Sequence, residues 1–251
     1  MNTPLLEVDG LVKRYGGLTA TDRLSLDVRR GELLAIIGPN GAGKTTLLSQ
    51  LSGAVRPDAG CIRFDGGDVT TVPMHGRVRK GLARSYQITS IFKSFTVRHN
   101  VALAVQSRCG SSMRFWKPVA AERAIRDEAL DLLAAVGLDG LADRPAASLS
   151  HGQQRQLELA ITLATRPKLL LLDEPMAGMG REETLRMADL IERLKQRFTI
   201  LLVEHDMDAV FRLADRVAVL VYGRVIATGT VDEIRANRDV RQAYLGEEIP
   251  A

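Results

Sequence analysis

A chain of 251 residues with 45% hydrophobic content can bury one large core, or one core with a sizeable insertion. Aromatic residues make up only 4%, so that core rests on Leu, Val, Ala and Ile. The formal charge of +4 comes mostly from Arg residues interleaved with acids, as in Arg29-Arg30-Gly31-Glu32, a pattern of solvated surface that argues against a nucleic-acid groove.

Alternation in Leu5–Val8 and Leu24–Val28 predicts half-buried strands, the second followed by a turn at Arg30-Gly31-Glu32. Leu33–Ile37 is continuously apolar, which suits a strand buried on both faces. Gly38 ends it, and Lys44–Leu51 has a helical pattern. Leu82–Tyr86 is a short strand-like stretch. From about Ile88 to Thr165 strand pattern gives way to helix. Glu122–Val136 sets Ile125, Ala129, Leu132, Leu133 and Val136 on one stripe closed by Gly137, and Gln153–Thr165 is a second helix stopped by Arg166-Pro167. Ser107–Pro118 is the least patterned segment and is expected to be a loop. Further buried strands follow at Leu169–Leu172, Thr199–Val203 and Val217–Val221, with a helix over Glu182–Arg197. Buried strands alternating with helices predict a mainly parallel sheet covered on both sides, carrying a helical insertion.

Cys61 and Cys109 have no CxxC spacing and are expected to be free thiols in a reducing compartment. Met1–Leu5 lacks a basic stretch leading into an apolar run, so no secretory signal is expected. No stretch approaches the roughly 18–20 apolar residues of a membrane helix. Any work at a membrane then depends on other chains.

Gly38-Pro39-Asn40-Gly41-Ala42-Gly43-Lys44-Thr45 fits G-x-x-x-x-G-K-[ST] between a buried strand and a helix, where a phosphate loop must lie. Its glycines let backbone N–H groups turn toward ATP phosphates, and the helix start adds partial positive charge. Lys44 is expected to reach the outer phosphates and Thr45 to ligate Mg²⁺, with Thr46 beside them. Asp173 and Glu174 end a buried strand. With a phosphate loop present, Asp173 is expected to hold Mg²⁺ and Glu174 to polarise the attacking water; a solvated strand end is the bland alternative. His205, just past the next strand, is a candidate for the γ-phosphate. Gln87 is a candidate Mg²⁺ ligand or else a polar hinge, and Tyr15 stacks on adenine or packs beside its turn. His75 and His99 have no such context.

In this order, Tyr15, the phosphate loop, Gln87, Leu149-Ser150-His151-Gly152-Gln153, Asp173-Glu174 and His205 resemble the ATPase subunit of an ATP-binding cassette (ABC) transporter over nearly the whole chain. The resemblance implies a P-loop NTPase core of RecA type with an antiparallel β subdomain (1–87 and 166–251) and a helical subdomain (88–165). It also implies that Ser150, His151, Gly152 and Gln153 cap the ATP held by a second ATPase subunit. Ser150 equally suits a helix cap. His151 replaces a signature glycine, and Gly180 stands where the family usually has Asp, which suggests two unequal ATP sites.

The run Gly152–Ala160, the Met-Ala-Gly-Met-Gly loop, Val203–Asp208 and the tail Asp239–Glu247 are similar to branched-chain amino acid importers. That subgroup implies a heterodimer, with a homodimer as the alternative, under two integral membrane permeases on the cytoplasmic face of the bacterial inner membrane. An extracytoplasmic solute-binding protein feeds such complexes. Importers of urea, amides or aromatic acids share these motifs, and lipid or lipopolysaccharide exporters share the Tyr-Leu-Gly-Glu tail. Soluble cassette proteins usually carry two cassettes or long coiled coils, which this chain lacks.

Overall fold

The computed structural model describes residues 4–85, 91–109 and 119–244. The chain opens on a long antiparallel hairpin, β1 (Leu6–Tyr15) and β2 (Leu18–Val28), in register from Leu6 opposite Val28 to Tyr15 opposite Leu18. The two expected short strands are one end of this ribbon. Register shifts beyond Val8 and Leu11 break the alternation that would have revealed the rest. β3 (Leu33–Ile37) matches the predicted apolar run, and all five side chains are buried. Leu33, Ala35 and Ile37 enter one core and Leu34 and Ile36 the other. α1 (Lys44–Ser52) follows the phosphate loop and ends at left-handed Gly53.

Between α1 and Gly81 three elements escaped the sequence patterns, β4 (Ala59–Phe64), β5 (Gly67–Asp68) and α2 (Met74–Lys80), as did the short elements at Met207–Leu213, Arg224–Gly229, Val231–Ala236 and Arg238–Tyr244. β4 buries only Ile62 and Phe64 and is held by antiparallel pairing with β1. α2 is anchored by the fully buried Arg77, whose guanidinium donates to the carbonyls of Gln50, Leu51, Thr70 and Val72 at 2.7–3.0 Å. Two of those acceptors are carbonyls in the last turn of α1, whose helix end leaves acceptors to satisfy.

After β6 (Leu82–Ser85) come α3 (Val97–Arg108), α4 (Val119–Ala135) and α5 (His151–Leu163). Tyr86 and Gln87 lie outside the described residues. The loop expected over 107–118 needs correcting at its start, because Ser107 and Arg108 form the last turn of α3. Arg108 pairs with Glu128 of α4 at 2.7 Å and donates to the Ala164 carbonyl at 2.8 Å, tertiary contacts that no local pattern carries. Residues 110–118 lie outside the described ones. On α4 the predicted stripe is inward, with Ala129, Leu133 and, just beyond, Val136 fully buried.

The remaining elements are β7 (Leu169–Asp173), α6 (Arg181–Lys195), β8 (Thr199–Val203), α7 (Met207–Leu213), β9 (Arg216–Val221), β10 (Arg224–Gly229), α8 (Val231–Ala236) and α9 (Arg238–Tyr244). The main sheet runs β10-β9-β3-β8-β7-β6, parallel throughout except for β10. A smaller antiparallel sheet, β2-β1-β4-β5, shares a core with α1 on one face, and the helices from α3 to α7 cover the other. This is the expected α/β class. Parallel strands bring the residues after Ile37, Leu172 and Val203 to one edge of the sheet, where such folds bind ligands.

Candidate nucleotide site

The loop from Gly38 to Gly43 joins β3 to α1 and is walled from behind. The Gly223 amide, in the β9–β10 turn, donates to the Ala42 carbonyl at 2.9 Å. A Cβ on Gly43, whose φ is +105°, would lie 2.2 Å from the Ala20 carbonyl oxygen of β2, and one on Gly38 would lie 2.1 Å from that of Leu220. Glycine is therefore required at both ends by packing as well as by backbone shape. The Lys44 ammonium is tucked into the loop, donating to the carbonyls of Gly38 at 2.6 Å and Pro39 at 3.1 Å. Pro39 is partly buried, Asn40 and Gly41 are exposed, and Thr45 and Thr46 follow on the first turn of α1, Thr45 exposed.

Asp173 closes β7 and is buried. Arg84 of β6 donates to its Oδ2 at 2.6 Å and to Ser49 Oγ of α1 at 3.1 Å, so one guanidinium joins two strands and the loop helix. Glu174 has φ +47°, a left-handed backbone that costs a non-glycine residue about 1–3 kcal/mol. Its amide donates to the Val203 carbonyl at 2.9 Å, which fixes the turn to the end of β8. Nδ1 of His205 is 3.9 Å from Glu174 Oε2, on a ring that is 63% exposed.

Glu204 has no role of its own from sequence, being only part of the Val203–Asp208 run. It is 1% exposed and accepts from the amides of Met176 at 3.0 Å and His205 at 3.1 Å. Burial raises its carboxyl above the ordinary value, against the lowering pull of those amides. It ties the loop after Glu174 to His205. The available signal was its position, an acid prolonging an entirely buried strand.

Tyr15 ends β1 with 48% exposure, and Lys13 sits 5.6 Å from its ring centroid. Ser150 caps α5, its hydroxyl oxygen accepting from the Gln153 amide at 3.3 Å while the Gln153 side chain accepts from the Ser150 amide at 2.9 Å. Both readings of that serine are therefore compatible. His151 is exposed and Gly152 buried. Gly180 caps α6 without a side-chain bond. The Ser150–Gln153 turn shares a cleft with Met179, Glu183 and Arg186, and no phosphate-loop residue lines it. The geometry thus gathers phosphate loop, Asp173, Glu174 and His205 at one edge and leaves the Ser150 turn elsewhere. Among the described residues no cluster of three His, Cys, Asp or Glu side chains could hold a metal, and no helix is long and apolar enough to cross a membrane.

Known proteins resemble this chain in sequence and fold. The family model for ABC transporters matches residues 21–177, and that for the branched-chain amino acid ATP-binding cassette transporter matches 224–249. The chain is 40% identical to the high-affinity branched-chain amino acid transport ATP-binding protein BraF of Pseudomonas aeruginosa and 41% identical to LivG of Salmonella typhimurium, covering 98% of this chain and 100% of each relative. An ATP-binding cassette of an ABC transporter solved in its ADP conformation superposes with a TM-score of 0.85 at 29% identity, covering 98% of this chain and 100% of that one. With a phosphate loop, a buried strand-end acid and a capped Leu-Ser-x-Gly-Gln turn in one chain, a family model over residues 21–177 and relatives 40% and 41% identical along their full length, this protein belongs to the ABC transporter ATPase family.

Proposed function

We propose that the chain is the ATP-hydrolysing subunit of an importer for branched-chain or other hydrophobic amino acids. The observation that carries this is end-to-end likeness to BraF and LivG, joined to the match of its last segment to the branched-chain model. Tyr15 would stack on adenine. Backbone amides of the loop would turn to the phosphates, and Lys44 would exchange its carbonyl contacts for phosphate oxygens. The Thr45 hydroxyl and Asp173 carboxylate are hard oxygen donors of the kind Mg²⁺ takes, few in number as expected where substrate phosphates complete the shell. Mg²⁺ would neutralise charge on the β- and γ-phosphates. Glu174 accepts a proton from the attacking water, and His205, beside it, orients the pair. Gln87 remains a proposed Mg²⁺ ligand.

The Ser150, His151, Gly152 and Gln153 turn would complete the site of a second ATPase subunit, with residues 88–165 moving as a helical unit against 1–87 and 166–251. ATP can favour that closure only by binding the closed state more tightly. Gly180, where the family usually has Asp, leaves room for two unequal ATP sites, which favours a heterodimer. Phe92 and Phe95, 59% and 44% exposed with rings stacked at 5.5 Å, offer an apolar seat for a permease helix at the cytoplasmic face of the bacterial inner membrane. The deciding experiment reconstitutes the chain with its permeases, partner ATPase and solute-binding protein. Leucine, isoleucine or valine should raise ATP hydrolysis several-fold. Stimulation by urea or an aromatic acid with none by leucine would overturn the solute assignment.

A further inference from the structure

A serine hydroxyl has a single proton to donate. In this chain the Ser150 proton is already committed: its Oγ lies 3.2 Å from Oε1 of Glu183, while the same oxygen accepts from the Gln153 amide. Glu183 sits in the first turn of α6, where the helix start favours any acid. That alone does not explain its direction. The adjacent acid, Glu182, turns outward to Arg186 at 2.5 Å and is 81% exposed, whereas Glu183 turns into the cleft. Gly152 permits this approach, because a Cβ there would lie 2.8 Å from Glu183 Oε1 and 3.0 Å from its carboxyl carbon. The buried signature glycine is thus shaped to Glu183 of its own chain.

We infer that Glu183 is a positioning residue that holds the Ser150 hydroxyl in the open state and competes with ATP for it. The inference rests on the proposed role of the Ser150 turn in completing the partner's ATP site, where the Ser150 hydroxyl would donate to the γ-phosphate. On closure the hydroxyl turns from the carboxylate to a phosphate oxygen, leaving Glu183 near a second anion. After the phosphate departs, the carboxylate recovers the proton donor. Glu183 therefore raises the ATP concentration needed for closure and favours reopening.

The test uses the assembled complex of this chain with its partner ATPase and permeases, with Glu174→Gln present to prevent turnover. The readout is the ATP concentration for half-maximal closure, followed by a fluorescent pair across the two ATPases, with thermal melting as the check on folding. Glu183→Gln, which keeps the shape and removes the charge, should lower that concentration about three- to tenfold, as loss of a charged competitor implies. Glu183→Ala should move it the same way, and the gain should vanish when Ser150→Ala is added. If Ser150→Ala weakens closure but Glu183→Gln leaves it unchanged or weakens it, the Glu183 assignment falls alone. If Ser150→Ala has no effect, the signature role falls and takes the inference with it.

Discussion

Glu174 combines a left-handed backbone, a clamp to β8 and a histidine 3.9 Å away, which suits a base held in place before substrate arrives. Glu174→Gln should leave ATP binding intact and reduce turnover by at least about 10²-fold, the usual contribution of a general base. Lys44→Ala should instead abolish nucleotide binding and turnover together. Fluorescent-nucleotide titration beside a phosphate-release assay separates the two outcomes, and unchanged turnover in the Gln variant would remove Glu174 from the proposed chemistry. These residues were legible because each follows a short apolar run that ends abruptly. Glu204 was not, since its worth lies in two amides from different segments. Arg84 was not either, because nothing near it in sequence announces its partner 89 residues away.

Among the elements, α1 depends on its neighbour α2 through one side chain. Burial brings the Arg77 guanidinium down to about 10, so it remains charged at neutral pH while four carbonyls share its donors. Arg77→Met fills the volume but removes the donors that Arg77 supplies to the Gln50 and Leu51 carbonyls at the end of α1. It should cost about 2–4 kcal/mol in denaturant unfolding. Arg77→Lys should recover little, because an ammonium cannot reproduce the planar fork. A loss within experimental error would mean that water replaces those bonds. β3, β7 and β8 could be read from sequence because strands buried on both faces must be apolar throughout. β4 and α2 could not, since each is fixed by a partner rather than by its own pattern.

At the scale of the molecule, the small sheet is fastened to the large one by Asp65, in the turn after β4. It accepts from Lys168, just before β7, at 2.5 Å and also from Arg30, ahead of β3. The Lys168 bond first and the Arg30 bond second lower its carboxyl from 3.8 to about 2. A depressed carboxyl contributes stability above its unfolded value and loses it as pH falls through the folded one. The contribution of Asp65 is therefore intact above pH 3.8 and gone below about 2. Asp65→Asn should flatten the acid limb of the stability profile within that window. Because the group is exposed, the difference should be small and shrink in salt. A steeper acid limb in the variant would contradict the assignment. Such a tie joins residues 103 positions apart, beyond the reach of any periodicity.

The Arg84–Asp173 pair has a last consequence, for the order in which the proposed cation arrives. A bare buried carboxylate would be an electrostatic well for any dissolved divalent ion. Here the well is already filled by a guanidinium from the same chain. With no cluster of three metal-binding side chains around it among the described residues, the empty protein should be indifferent to free Mg²⁺. Calorimetric titration with Mg²⁺ alone should show no binding at millimolar concentration, and heat should appear once ATP is added. The ion then comes aboard as a passenger of the nucleotide, and such a subunit senses cellular magnesium only through the fraction of ATP that already carries it.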